Sequence, residues 1–450
     1  MKIELHAEAV RRYTERINEL LIRLIPKPSN KEKKIPFDSG LVTKEIMTEE
    51  IINLGFSSEE DCTGKKTSMF FKFKDHFYGL SGEDFKDFVR LCEDIQKSSN
   101  LNEYASIEFL SKTLFNWMQL RYCNQTIDNA LDYLILKCEE EIKAYEVWVP
   151  IANTIVQSEF QIGDIVIKNL SKEILDTWEQ GLLGSAKNDK QILSIKKYIK
   201  NEREKKQGFA IAIYKANAEK IRAEELAFEK IEQALSILRI FSPAAIFSNQ
   251  RTYTTVKGME NLQSRECFFV QDNYMHTQNV SMLFHNYTDW IITDEQIIVM
   301  QKNGLIILDE LLKNRNRNQF QDKVLNSFIL FSQGTLTNNV HEKLIYIFVA
   351  LESIVLKNET EPITQNISDR IAFAIAKQGQ SRMQIIKNIK GAYNFRSRFV
   401  HHGVKIDEII ILDEFVRFAL SFLMSLLFNI NKFKTKEDMI AALDKMKYGA

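Results

Sequence analysis

Residues 318 to 430 read as helix after helix, with no strand signal between them, and this constrains the fold more than any other feature of the chain. Apolar residues recur every three or four positions over 318–333, 339–356, 366–377, 381–401 and 407–430. A helix with one apolar stripe must bury it against another element, so consecutive helices of this kind form a bundle. Asn339 with Glu342 and Asn366 with Asp369 fit an N-cap followed by an acidic third residue, and Asp407 suits the cap of the last helix. The bundle is placed at 317–432, with 433–450 left as a C-terminal tail.

One helix of this bundle carries a charge where its apolar face should be. Positions 389, 393, 396 and 400 fall on one stripe, so Arg396 stands among Ile389, Tyr393 and Val400, while Arg398 points to the side. A charge so placed is paired or opens onto a cleft. Gly403 is a natural stop just after His401 and His402. An arginine holds phosphate oxygens through a planar fork of donors. A histidine exchanges protons near neutral pH. Together they suffice for RNA cleavage by attack of the 2'-OH on its own phosphate, without a metal. Taken alone, Arg-x4-His is a weak pattern, better explained by a paired core arginine and a histidine that complements the helix C-terminus.

The surroundings of that motif are more specific. Tyr346 to Ser353 (YIFVALES), Ile367 to Ala372 (ISDRIA) and Tyr393 to Ser397 (YNFRS), with the His-Gly ending, stand in an order and spacing that resembles the HEPN superfamily, specifically its Apea-like group in prokaryotic defence proteins. The resemblance implies an all-α bundle whose Arg-x4-6-His motif, with a polar residue after the arginine, forms a ribonuclease site. Arg396, Ser397 and His401 take those positions, and His402 fits the permitted spacing equally. It further implies a homodimer through the C-terminal bundle, an RNA substrate, no cofactor, a 2',3'-cyclic phosphate product and a phage or cellular trigger. Some HEPN domains only bind, so a non-catalytic dimerisation or sensing module of a defence or toxin–antitoxin system is the alternative expectation. Glu352, among Phe348, Leu351 and Val355, is expected to pair with Arg370 or Arg396 and so orient the latter.

The rest of the chain is expected to be mixed, making the whole α+β. Residues 1–144 read as mostly helical, with amphipathic patterns at 2–25, 101–120 and 129–143, and a lysine-rich loop bracketed by Pro26, Pro28 and Pro36. Residues 145–312 read as an α+β middle domain, with alternating strands at 145–151 and 160–167 about a Gly163-Asp164 turn, further strands at 209–214, 268–270, 281–284 and 290–292, and a helix at 223–241. The boundary with the bundle is placed at 313–318.

Lys+Arg and Asp+Glu number 60 each, so any RNA contact must come from local patches. Residues 187–206 hold seven lysines and one arginine against three acids, and Lys196, Lys197 and Lys200 are the first candidates for an auxiliary RNA surface. Arg315 and Arg317 are a second pair. Phe70 to Tyr78 interleaves aromatics with lysines, which suits an ordinary strand with an aromatic core face better than a base-stacking platform. Thr63-Gly64-Lys65 lacks the first glycine and the final Ser or Thr of a phosphate loop. The five scattered cysteines show no metal spacing, and His276 and His285 have no acidic partner at ligand spacing. The N-terminus is unlike a signal peptide, and the apolar run 415–430 is broken by Arg417. A cytoplasmic protein with no membrane segment and no bound metal is therefore expected.

Overall fold

The computed structural model describes residues 7–26, 57–74, 76–98, 100–126, 128–260, 264–271, 274–282, 289–358, 360–404 and 409–448. Pro28, Pro36, His285 and the Asp407 cap fall outside them, as do the side chains of Cys267 and His276. The chain divides into two compact units, 1–147 with 215–226, and 148–214 with 227–450.

The first unit contains α1 (Ala7–Ile22), β1 (Ile25–Pro26), β2 (Ser57–Glu60), β3 (Lys66–Phe73), β4 (His76–Ser81), α2 (Gly82–Ser98), α3 (Ile107–Tyr122) and α4 (Ala130–Glu141). Its strands form an antiparallel sheet in the order β1-β4-β3-β2, an addition to the mostly helical expectation. Phe71 packs edge-on against Phe115 and Tyr122, so the aromatics of the 70–78 stretch serve the core while Lys72 and Lys74 are exposed. Gly79 is required where these strands meet, because a Cβ there would lie 2.0 Å from the Met69 carbonyl oxygen. In the hairpin before β3, Asp61 accepts hydrogen bonds from the Thr63 and Lys65 amides, so a carboxylate of the chain itself occupies those donors.

The second unit continues with β5 (Lys143–Pro150), β6 (Thr154–Val156), β7 (Phe160–Ile162), β8 (Ile165–Asn169), α5 (Lys172–Gly184), α6 (Asp189–Lys206), β9 (Ala210–Ala218) and α7 (Lys220–Arg239), of which 143–147, 215–218 and 220–226 belong to the first unit. Then come β10 (Ser264–Gln271), β11 (Tyr274–Met282), β12 (Trp290–Ile292), α8 (Asp294–Met300) and α9 (Ile306–Lys313). The sheet order is β5-β9-β8-β7, and the turn expected at Gly163-Asp164 joins β7 to β8, with Gly163 at φ 60°. The helical region holds α10 (Gln319–Gln333), α11 (Val340–Val355), α12 (Ile363–Ile375), α13 (Gly379–His402), α14 (Ile409–Phe428) and α15 (Lys436–Tyr448). The molecule is α+β with a helical C-terminal region. Among the described residues no helix is long and apolar enough to cross a membrane.

Three expectations need correction. The boundary at 313–318 is not a division between compact units, because polar ties cross it. Asp413 on α14 accepts from the Ser248 amide and hydroxyl, and the Thr252 amide donates to the Thr335 carbonyl. The tail at 433–450 is instead mostly α15, which buries Met439, Ile440 and Leu443. Asn366 does not cap α12, which begins three residues earlier behind Pro362. By contrast Asn318 and Asn339 do cap α10 and α11 through their side chains.

Candidate active site at the end of helix α13

Helix α13 runs unbroken through the motif and ends where glycine permits it, with Gly403 at φ 64° and its amide bonded to the Phe399 carbonyl. Its stripe emerges from the core by degrees. Ile389 is buried, Tyr393 and Arg396 are half-buried, and Val400 is exposed. Phe348 of α11 fixes the helix by meeting Tyr393 edge-on at 5.3 Å and stacking on Phe415 of α14 at 4.6 Å.

Arg396 lies with its guanidinium carbon 5.8 Å from the Tyr393 ring centre, and its Nε is buried without a hydrogen-bond acceptor. Glu352 of α11 is its electrostatic neighbour. Burial raises the Glu352 carboxyl pKa above the usual carboxylate range, and the positive charge of Arg396 partly opposes that shift. Glu352 Oε1 is likewise buried without a donor, and no hydrogen bond joins it to Arg396. The expected salt bridge is therefore not closed, and Arg396 Nε and Glu352 Oε1 each keep an unused bonding position.

Ser397 is half-buried, and His401 and His402 are exposed, their rings 6.4 Å apart. At 100° per residue the two histidines leave the helix roughly 140° and 120° away from Arg396. A single copy therefore brings the motif onto one helix end without converging its arginine and histidine. His341, at the start of α11, stacks flat on Phe399 at 3.9 Å and joins the last turns of α13 to the α11 N-terminus.

Arg370, expected beside Glu352, lies elsewhere. It is buried and bonded twice to Glu361, twice to Asp444 of α15 and once to the Val355 carbonyl. Burial works against its charge, but the two carboxylates outweigh burial and raise its pKa. Arg370 is thus the clamp that holds α15 to α12. Lys196, Lys197 and Lys200 are exposed on the α5–α6 hairpin, where part of the positive excess is neutralised locally. Arg203 bonds Asp176 and Glu179, Lys206 bonds Glu202, and Lys200 lies 3.9 Å from Glu204. Arg317 is occupied by Asp322 and two carbonyls, whereas Arg315 is exposed.

Sequence reasoning missed Lys343. Its Nζ is buried and donates to the carbonyls of Ala244, Phe247 and Gln250. Burial pushes its pKa down to about 7, with Asp413 pulling the other way. The available signal was the one that flagged Arg396, since Lys343 shares a helical stripe with Ile347, Ala350 and Ile354. Among the described residues no group of three or more His, Cys, Asp or Glu side chains can hold a metal ion. No protein-family model, curated protein or solved structure matches the chain.

Proposed function

We propose that the helical C-terminal region is a HEPN-type endoribonuclease that cleaves RNA without a metal, in the cytoplasm, in prokaryotic antiphage defence. The observation that carries this reading is the state of Arg396, whose Nε is buried without an acceptor and whose charge acts on the carboxyl group of Glu352. A buried donor left unmatched costs about 1–3 kcal/mol. A phosphate oxygen would complete it.

In the proposed reaction a histidine takes the proton of the 2'-OH, whose oxygen attacks the adjacent phosphorus. The 5' oxygen leaves and receives a proton, giving a 2',3'-cyclic phosphate and a 5'-hydroxyl end. Arg396 stabilises the charge on the phosphorane-like transition state. Ser397 hydrogen-bonds the phosphate or positions the histidine. Arginine and histidine diverge on one helix, so a second copy related by a two-fold axis supplies the missing partner. Exposed Val400 and Val404 near the motif suit such a contact. The same apolar exposure favours the second reading, a HEPN bundle kept for dimerisation or sensing, with a phage or cellular component as trigger.

The deciding experiment is cleavage of total RNA by wild type, Arg396→Ala, His401→Ala and His402→Ala, with folding checked by circular dichroism. Loss on the order of 10²-fold or more in Arg396→Ala and in one histidine variant is expected. Near wild-type cleavage in Arg396→Ala would remove the catalytic assignment, and no cleavage by any form would favour the sensing module. Cleavage is expected to survive excess chelator. Full inhibition reversed by a divalent ion would contradict the acid–base mechanism.

A further inference from the structure

The second unit contains a cavity of about 380 Å³ between the irregular segment 251–260 and the residues leading into α11. That volume lies within the range of small-molecule sites. Its wall at 251–255 has almost no regular structure, yet it is held from behind by two buried cations. Arg239 donates to the Thr254 carbonyl and is anchored by Glu232 and Ser236. Lys343 gathers the carbonyls of 244, 247 and 250, and the Thr252 amide bonds Thr335. A loop fixed by this many buried bonds is preformed, which removes ordering cost from binding.

The lining identifies the kind of occupant. Arg251 lies over the Tyr253 ring at 4.5 Å, and Tyr346, 41% exposed, adds a second aromatic surface. Gln333 and Asn338 bring side-chain amides, which pair with the edges of bases. Two carboxylates, Glu342 and Glu260, share the lining with Arg251. Glu260 is tied to Lys257 at 3.2 Å. This near balance of charge disfavours a phosphate inside the cavity and favours a flat, polar, uncharged group. The position is also telling. Glu342 follows His341, which stacks on Phe399 between Arg396 and His401.

We propose that this cavity is a nucleobase subsite, holding the base of a ribonucleotide whose phosphate lies outside, toward the Arg396 end of α13. Its link to cleavage rests on the ribonuclease reading, but base binding does not.

The test uses the full-length protein carrying both His401→Ala and His402→Ala, so that RNA survives. Binding of AMP, GMP, CMP and UMP is measured by titration calorimetry, and binding of eight-nucleotide homopolymer RNAs by fluorescence anisotropy. At least one base is expected to bind, and Arg251→Ala and Tyr346→Ala each to weaken it on the order of tenfold, the scale of one lost stacking contact. Both are lining substitutions, and Tyr346→Ala, at a solvent-exposed position, guards against misfolding of Arg251→Ala. In the wild-type background the same changes are expected to raise KM with kcat little altered. A mononucleotide that binds but is not displaced by RNA marks a free nucleotide as the occupant, whereas displacement marks a base within the strand. Absence of mononucleotide binding at millimolar concentration, with RNA affinity unchanged in both variants, would overturn the subsite. Nucleotide binding without any RNA cleavage would uphold the subsite and remove the ribonuclease reading.

Discussion

Lys343, Arg370 and Arg396 each interrupt the apolar face of a C-terminal helix, and each is compensated differently. Lys343 meets three carbonyls, Arg370 meets two carboxylates, and Arg396 meets an aromatic ring with a carboxyl group nearby. The sequence pattern shows that such a charge needs an answer but not which answer it receives, since the partners lie up to 99 residues away. That is why Arg370 and Arg396 were expected to be interchangeable partners of Glu352 and are not. Replacing Lys343 by Met orphans three carbonyls, and a loss of roughly 3 kcal/mol is expected in chemical denaturation. The pH dependence is more specific. The folded-state pKa of about 7 lies below the ordinary lysine value, so between these limits the unfolded chain binds more protons. Stability contributed by this site therefore rises with pH from about 7 toward the ordinary lysine value, and Lys343→Met is expected to lack that slope. Glu352 has the opposite sign. Its carboxyl pKa is raised, so its contribution is greatest below the ordinary carboxylate range and is lost as pH rises through the folded value. Glu352→Gln is expected to raise the Tm at pH 8 and to leave it little changed at pH 4. A lower Tm at pH 8 would show that the carboxylate is held by a stronger bond than the structure shows.

At the scale of elements, helices were legible wherever an apolar stripe and a cap coincided. The helices α10, α11 and α13 begin within two residues of their expected starts and end within one, and Gly403 stops α13 as its position requires. α12 starts early because Pro362 precedes a helix that the Asn366–Asp369 pair only imitates. α15 was read as a tail although Met439, Ile440 and Leu443 share a buried face, and it is secured by charge as well. Asp444 bonds Arg370 and Lys357, and Lys447 bonds Asp369 at 2.6 Å. Asp444→Asn is expected to cost about 2 kcal/mol, since it leaves the buried Arg370 with one carboxylate, Glu361, in place of two. Removal of residues 433–450 should cost more and expose apolar surface, readable as binding of a hydrophobic dye. A truncated protein as stable as the whole would mean that α15 is only loosely docked.

At the scale of the molecule, the α+β character and the helical C-terminal region were legible, but the cavity was not. Its walls come from 251–260 and 333–346, segments brought together only by tertiary packing. The divergence of Arg396 from His401 and His402 makes self-association an expected property of the whole. Light scattering at micromolar concentration should give twice the chain mass, and Val400→Glu should halve it and abolish cleavage together. A monomer that still cleaves RNA would mean that one copy suffices.

The loop behind the cavity also carries a kinetic consequence. Apart from one short helical turn, residues 241–256 have little local structure to nucleate them, and their geometry is inherited from Arg239 and from Lys343, about a hundred residues later in sequence. Contacts of such long sequence separation form late, after the helices that supply them have docked. Refolding should therefore pass through a species with its helices formed and the loop undocked, so that far-ultraviolet dichroism recovers before any ligand-binding signal from the cavity.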